Sequence, residues 1–171
     1  MKKSGRITVI IFMFMISMDI SNCFSFDQQD QTLKGLWQVA LNVVANEAEN
    51  RHNFTGSNPY VLKNEVEIML RQSGIQINEN ADAKMNVSIT MQDADSTNQP
   101  NIIGVYGIVS MTLYQRTQLI RDQRIRSTSV TWESPVFLLI GPPDNFSNRC
   151  RQKVRYLMQQ FLTAHASVNS K

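Results

Sequence analysis

The clearest pattern along this chain is KMNVSITMQ, residues 84–92, where Met85, Val87, Ile89 and Met91 alternate with Asn86, Ser88, Thr90 and Gln92. A two-residue period puts the four apolar side chains on one face, so the stretch predicts a strand covered on one side and wet on the other. LWQVALNVVA predicts an earlier strand, with Trp37, Val39, Leu41 and Val43 turned the same way. IIGVYGIVSMTLYQRTQL predicts a long one. Val105, Val109, Met111 and Leu113 face inward there, and Tyr106, Ser110, Thr112, Tyr114 and Arg116 face outward. Gly107 falls in the inward register, where a missing side chain marks a bulge or the close approach of a helix. The next strand, roughly 124–133, has no uniformly apolar side. Trp132 is its expected buried member because of its large apolar area.

Two stretches carry the helical period instead. Asn58 and Pro59 suit a helix start, the first as a cap and the second because its ring fixes the first-turn dihedral. Leu62, Val66, Met69 and Leu70 then make an apolar stripe, and Gly74 supplies the stop, predicting a helix over 59–73. Phe146, Cys150, Val154, Leu157, Met158, Phe161 and Leu162 predict a second helix from Asn145 to about Ala166, capped by Asp144. GIQIN adds a short strand at 75–78. SPVFLLIGPPD either extends the sheet or docks as a loop before Pro142 and Pro143 stop it.

The order β-α-β-β-β-β-α implies an α+β two-layer sandwich. One mostly antiparallel mixed sheet of four or five strands should carry two helices on one face, with 85–92, 103–119 and 124–133 as an antiparallel meander. The expected division is an export signal at 1–25, a polar lead-in at 26–35, a single domain at 36–167 and a tail at 168–171.

The export signal rests on MKKSGR, then ITVIIFMFMISM, then DISNCFS: charged, apolar, small. The apolar run is short of the about 20 residues a membrane-spanning helix needs. Cleavage after Ser25 leaves a freely exported protein, whereas cleavage before Cys23 would make that thiol a lipid acceptor. Asn22 stands where a lipoprotein signal normally has Gly, Ala or Ser. The expected location is the periplasm or the periplasmic face of an outer membrane, with secretion as the alternative.

Removal of that segment changes the charge. The chain has 17 basic and 14 acidic side chains; without Lys2, Lys3, Arg6 and Asp19 these become 14 and 13, a balance of +1. A near-neutral domain has no global field for a polyanion, so nucleic acid is not an expected partner. Local placement is what remains. LYQRTQLIRDQRIR, residues 113–126, holds Arg116, Arg121, Arg124 and Arg126 within eleven positions. The reading puts Arg116 and Arg124 opposite one another, Arg121 at the turn and Arg126 one step inward. Like charges facing across a ladder destabilise it unless an anion lies between them. Two readings stay open for this cluster: edge protection by charge, or a basic rim that binds a partner.

Chemistry is sparse. Cys23 and Cys150 are the only cysteines, so this is no disulfide framework. His52 and His165 are 113 positions apart and share no metal-ligand motif, so no metal site is assigned. Nothing matches GxGxxG, GxxxxGK[ST] or GxSxG, and no cofactor follows. Cys150 and His165 sit about 22 Å apart along one helix, too far for a nucleophile pair. Arg149, Arg151, Lys153 and Arg155 crowd the first half of the second helix, where the macrodipole favours acids. No catalytic residue is assigned.

VEIMLRQSGIQI, MNVSITM, VSMTLYQR, SVTW and YLMQQFLTAHASVN, in that order over residues 35–169, resemble a group of small bacterial envelope proteins. The arrangement is also similar to the outer-membrane lipopolysaccharide-assembly lipoprotein and to the amino-terminal domain of periplasmic TolB. That resemblance implies a binding or assembly role in the envelope and lowers the expectation of enzymatic activity. The expected partner is an envelope protein or an anionic lipid or glycan, met by a sheet edge and the four arginines; membrane contact would come only through a lipid on Cys23. The competing reading is an enzyme acting on an envelope polymer, which needs Glu65 or Asp93 to converge with another carboxylate in a cleft. A purely structural module is the third.

Overall fold

The computed structural model describes residues 28–47, 58–94, 104–142 and 145–170. The elements follow as β1 (Gln38–Glu47), α1 (Pro59–Gln72), β2 (Gln76–Ile77), β3 (Lys84–Ala94), β4 (Gly104–Leu119), β5 (Asp122–Glu133), β6 (Phe137–Gly141) and α2 (Phe146–Asn169). They form the expected α+β sandwich. Its mixed sheet runs β2-β1-β3-β4-β5, with β6 also on β4. β1 is parallel to β2 and β3, and the remaining pairs are antiparallel. Both helices pack on one face.

Backbone chemistry sets the helix ends. The Asn58 side chain accepts from the Tyr60 amide at 2.9 Å, and Pro59 opens α1. At its other end Gly74 takes a φ of +81°. The Ile75 amide reaches back to Leu70 O at 3.0 Å and the Gly74 amide to Arg71 O at 3.1 Å, a Schellman closure that buries Ile75. α2 starts differently from the sequence expectation. Its cap is Asn145, at φ 66° and without a side-chain cap bond, so Asp144 is not the cap residue. Asparagine is among the few residues that enter the left-handed region readily, and this turns the chain onto the sheet.

The inward register is nearly as read. Met85, Val87, Ile89, Met91, Val105, Val109, Met111 and Leu113 are all buried. Strand pairing sets Met85 beside Leu113, Val87 beside Met111 and Ile89 beside Val109. The apolar stripes of α1 (Leu62, Val66, Leu70) and α2 (Phe146, Cys150, Val154, Leu157, Met158, Phe161) close the same core. Trp37 departs from its reading. It stands one residue before β1 and is 59% exposed. Gly107 lies inward because a helix approaches there: a β-carbon would sit 2.8 Å from Phe146 Cε1.

β5 and β6 follow one another along the same edge of β4, β5 beside residues 112–119 and β6 beside 105–109. Ser134 bridges the break. Its amide donates to Met111 O at 2.8 Å, and its Oγ accepts from the Met111 amide at 2.9 Å. A hydroxyl thus replaces the missing strand carbonyl, which accounts for a buried serine among aliphatics.

The lead-in also docks. Residues 28–31 make a helical turn, and Leu33 and Leu36 are buried. Thr32 Oγ1 donates to Thr131 O at 2.9 Å, and Trp132 Nε1 donates to Asp30 Oδ1 at 3.2 Å. At the far end α2 continues through Asn169, whose side chain bonds Gly35 N and Leu33 O.

Ser134→Ala is expected to cost about 1–3 kcal/mol by leaving the buried Met111 amide unsatisfied, seen as a lower denaturant midpoint with an unchanged slope. Gly107→Ala should cost about 1–3 kcal/mol through overpacking against Phe146, with the same readout.

Candidate functional site

β4 is longer than the strand beside it. Its last partner on β3 is Tyr114, opposite Lys84. Beyond that point only β5 accompanies it, so residues 115–129 form a two-stranded arm reaching about 17 Å past the sheet at 3.4 Å per residue. The inward register turns polar at the same place. Thr131 Oγ1 donates to Gln115 Oε1 at 2.7 Å, and the hydroxyls of Thr117 and Ser129 meet at 2.8 Å. Hydroxyls and amides therefore replace the aliphatic row where full burial stops.

A bulge decides which side of β5 is buried. Leu113 pairs with Trp132 but Tyr114 pairs with Val130, leaving Thr131 as the extra residue. An extra residue reverses the alternation. Trp132 therefore enters the core, edge-on to Phe161 at 5.1 Å, while Val130 is exposed. Unbroken alternation would set Trp132 on the same side as Val130, Thr128, Arg126 and Arg124; the bulge turns Trp132 to the other.

The tip is a two-residue link, Ile120 and Arg121, between Leu119 and Asp122. No residue of it has positive φ, although tight hairpins of this length favour turns that require one. A second register shift between Gln118 and Leu119 takes up the difference. Asp122 holds the return strand: its Oδ1 accepts from the Arg124 amide at 3.0 Å and from Arg124 Nε at 3.2 Å.

The four arginines are on the arm but not in the arrangement read from the sequence. Arg116 lies opposite Thr128, not Arg124, and Arg126 lies opposite Gln118. Arg116 thus stands four positions along the partner strand from Arg124, and no like-charge facing pair forms. Arg124 is occupied by Asp122, and Arg116 approaches Asp82 at 3.7 Å. Both pairs are exposed and add little stability. Arg121 and Arg126 make no ion pair among the described residues. Arg116 and Arg126 line one depression of about 350 Å³ with Asp82, Gln115, Thr117 and Gln118. It occupies the notch where β4 outruns β3. Asp82 was not singled out in the sequence, because nothing local ties it to Arg116.

The other basic cluster resolves into structural roles. Arg151 and Arg155 both clamp Glu65 of α1, Arg151 Nε at 2.9 Å from Oε2 and Arg155 Nη2 at 2.9 Å from Oε1. Arg149 donates to Ile140 O, and Lys153 lies 4.4 Å from the Phe137 ring centre. Glu65 thus meets two cations, not a second carboxylate. Asp95 and the Asp93 side chain lie outside the described residues. Burial pushes the Cys150 thiol up to about 11, with Arg149 acting in the opposite sense. His165 meets Leu36 O at 2.8 Å and stacks on Phe161. Among the described residues no group of three or more His, Cys, Asp or Glu could hold a metal. A second, larger depression of about 620 Å³ runs along α2 between Trp132, Pro135 and Tyr156. Cys23, His52 and the export segment at 1–25 lie outside the described residues.

Asp122 carries a pH prediction. The Arg124 side-chain hydrogen bond, then the Arg124 amide, holds its carboxyl below the ordinary 3.8. A depressed carboxyl favours the ordered tip above 3.8, and that contribution is lost as pH falls through the lowered value. The Arg124 amide should therefore lose exchange protection on acidification in that range, and Asp122→Asn should remove the pH dependence.

No protein-family model matches the chain, and no curated protein matches it. Solved structures do. A PelC dodecamer from Paraburkholderia phytofirmans shares 10% identity at a TM-score of 0.40, over 80% of this chain and 89% of that one. Rare lipoprotein B from Shewanella oneidensis shares 12% at 0.26, over 77% and 89%. A minor lipoprotein from Acinetobacter baumannii shares 9% at 0.29, over 78% and 93%. Among the described residues no helix is long and apolar enough to cross a membrane. Two of these three structures are of lipoproteins.

Proposed function

We propose that this protein is a non-enzymatic domain of the bacterial envelope that binds a partner through the β4–β5 arm. The single observation that carries this reading is the arm itself. A two-stranded ribbon in water is marginal without a third strand or a packed face. Residues 115–129 have neither among the described residues, yet they carry four arginines and exposed Leu119, Ile120 and Ile125. Such a projection adds nothing to the core.

Two open backbone edges accompany it. β4 has no β3 partner beyond Tyr114, and the outer edge of β5 is met by the lead-in only near Thr131 and Glu133. An added strand would find main-chain donors and acceptors along 115–119 or 122–130, with arginines selecting an acidic neighbour. The notch beside Asp82 brings Arg116 and Arg126 to the first of these edges. An export signal at 1–25 would deliver the domain to the envelope.

Changing Arg116, Arg121, Arg124 and Arg126 together to Ser should shift stability by roughly 0.5 kcal/mol per site or less, because all four are exposed. Recovery of the natural envelope partner by affinity purification of the processed protein should fall at least about tenfold, given the loss of charge-assisted contacts. Undiminished recovery with an intact fold would remove the arm from the binding surface.

A further inference from the structure

The apolar tip and basic flanks of the arm suit one kind of surface. Ile120 is 99% exposed at the turn, with Leu119 at 39% and Ile125 at 48% beside it. Arg121, Arg124 and Arg126 surround these side chains, and Arg116 lies further toward the sheet. Residues 115–129 hold four arginines against Asp122, a balance of +3, while residues 26–171 as a whole balance at +1. The rest of that span is therefore net acidic, its α2 cations outnumbered by acids, and the arm carries the local excess of positive charge.

We infer that the arm docks on an anionic bilayer, Leu119 and Ile120 entering the interface while the arginines meet lipid phosphates. This rests on the arm being the binding element and names what it binds. A protein groove would also accept Ile120, but a groove lined by acids is a narrower requirement than a phosphate surface under an apolar layer. Arg116 and Arg126 share one face of the ribbon and line the same depression, so lipid phosphates can meet them together behind the apolar tip.

Gln29 and Thr32 bond to β5 at Glu133 and Thr131, the base of the arm, so the lead-in leaves the tip uncovered.

The test is co-sedimentation of the processed full chain with phosphatidylglycerol–phosphatidylcholine vesicles and with phosphatidylcholine alone. Wild type and arm variants are compared side by side so that any contribution from the leader or Cys23 cancels. Binding is expected to favour the anionic vesicles and to weaken with salt. The double change Leu119→Ser, Ile120→Ser should weaken it at least about tenfold, and each of Arg121→Ser and Arg126→Ser about fivefold. Ile120→Trp should show an emission shift to the blue on anionic vesicles only. Equal binding by all arm variants, no preference for anionic lipid, or an unshifted Ile120→Trp would overturn the inference. So would a dimer in sedimentation equilibrium that Leu119→Ser, Ile120→Ser disrupts while vesicle binding stays unchanged. If the vesicles fail but the four-arginine variant still loses its envelope partner, the arm remains the binding element and only the bilayer is rejected.

Discussion

β4 is the strand on which the other elements depend. It pairs with β3 along one edge and with β6 and then β5 along the other, and its inward row lies against α2. Side-chain alternation has a period of two, so slipping this strand by one residue would turn Val105, Val109, Met111 and Leu113 outward together. Gly107 tightens the constraint. Phe146 fits over β4 only where that strand lacks a β-carbon, and Phe146 is the first residue of α2. The docking of the last helix and the register of the longest strand thus fix one another.

The arm is the complement of that packing. Burial of the inward row ends at Leu113, and the chain changes from aliphatic to Gln115 and Thr117. Further pairing is then held by backbone bonds and by side-chain hydroxyls. A hydrophobic core holds β4 up to that residue, and past it the ribbon has only local support. Its bulge at Thr131 serves both parts, turning Trp132 into the core while leaving Val130 and the arginines outside.

Positive charge has two different fates here. On α2 the unfavourable first-half arginines are answered across the helix pair by Glu65 and by the Ile140 carbonyl, so that cluster locks α1 to α2. On the arm, Asp122 and Asp82 answer two of four, and both pairs are in solvent. The helical cluster is part of the fold; the arm cluster faces outward.

The amino-acid sequence alone determined the layers of this protein. Strict alternation in KMNVSITMQ, the 3.6-residue stripes at 62–70 and 146–162, and the stops at Gly74 and Pro142 are short-range signals, and each held in the structure. The density of arginines at 116–126 was equally plain. Their facing partners were not, because register within a ribbon depends on bulges, and a bulge is a negotiation between a core residue such as Trp132 and a turn ten residues away. The same limit explains Trp37, the cap at Asn145 and the docking of the polar lead-in onto β5. Long-range geometry also paired Glu65 with Arg151 and Arg155 across 86 and 90 residues. Periodicity reports which face a residue prefers; only the folded chain decides where that face ends and what stands opposite it.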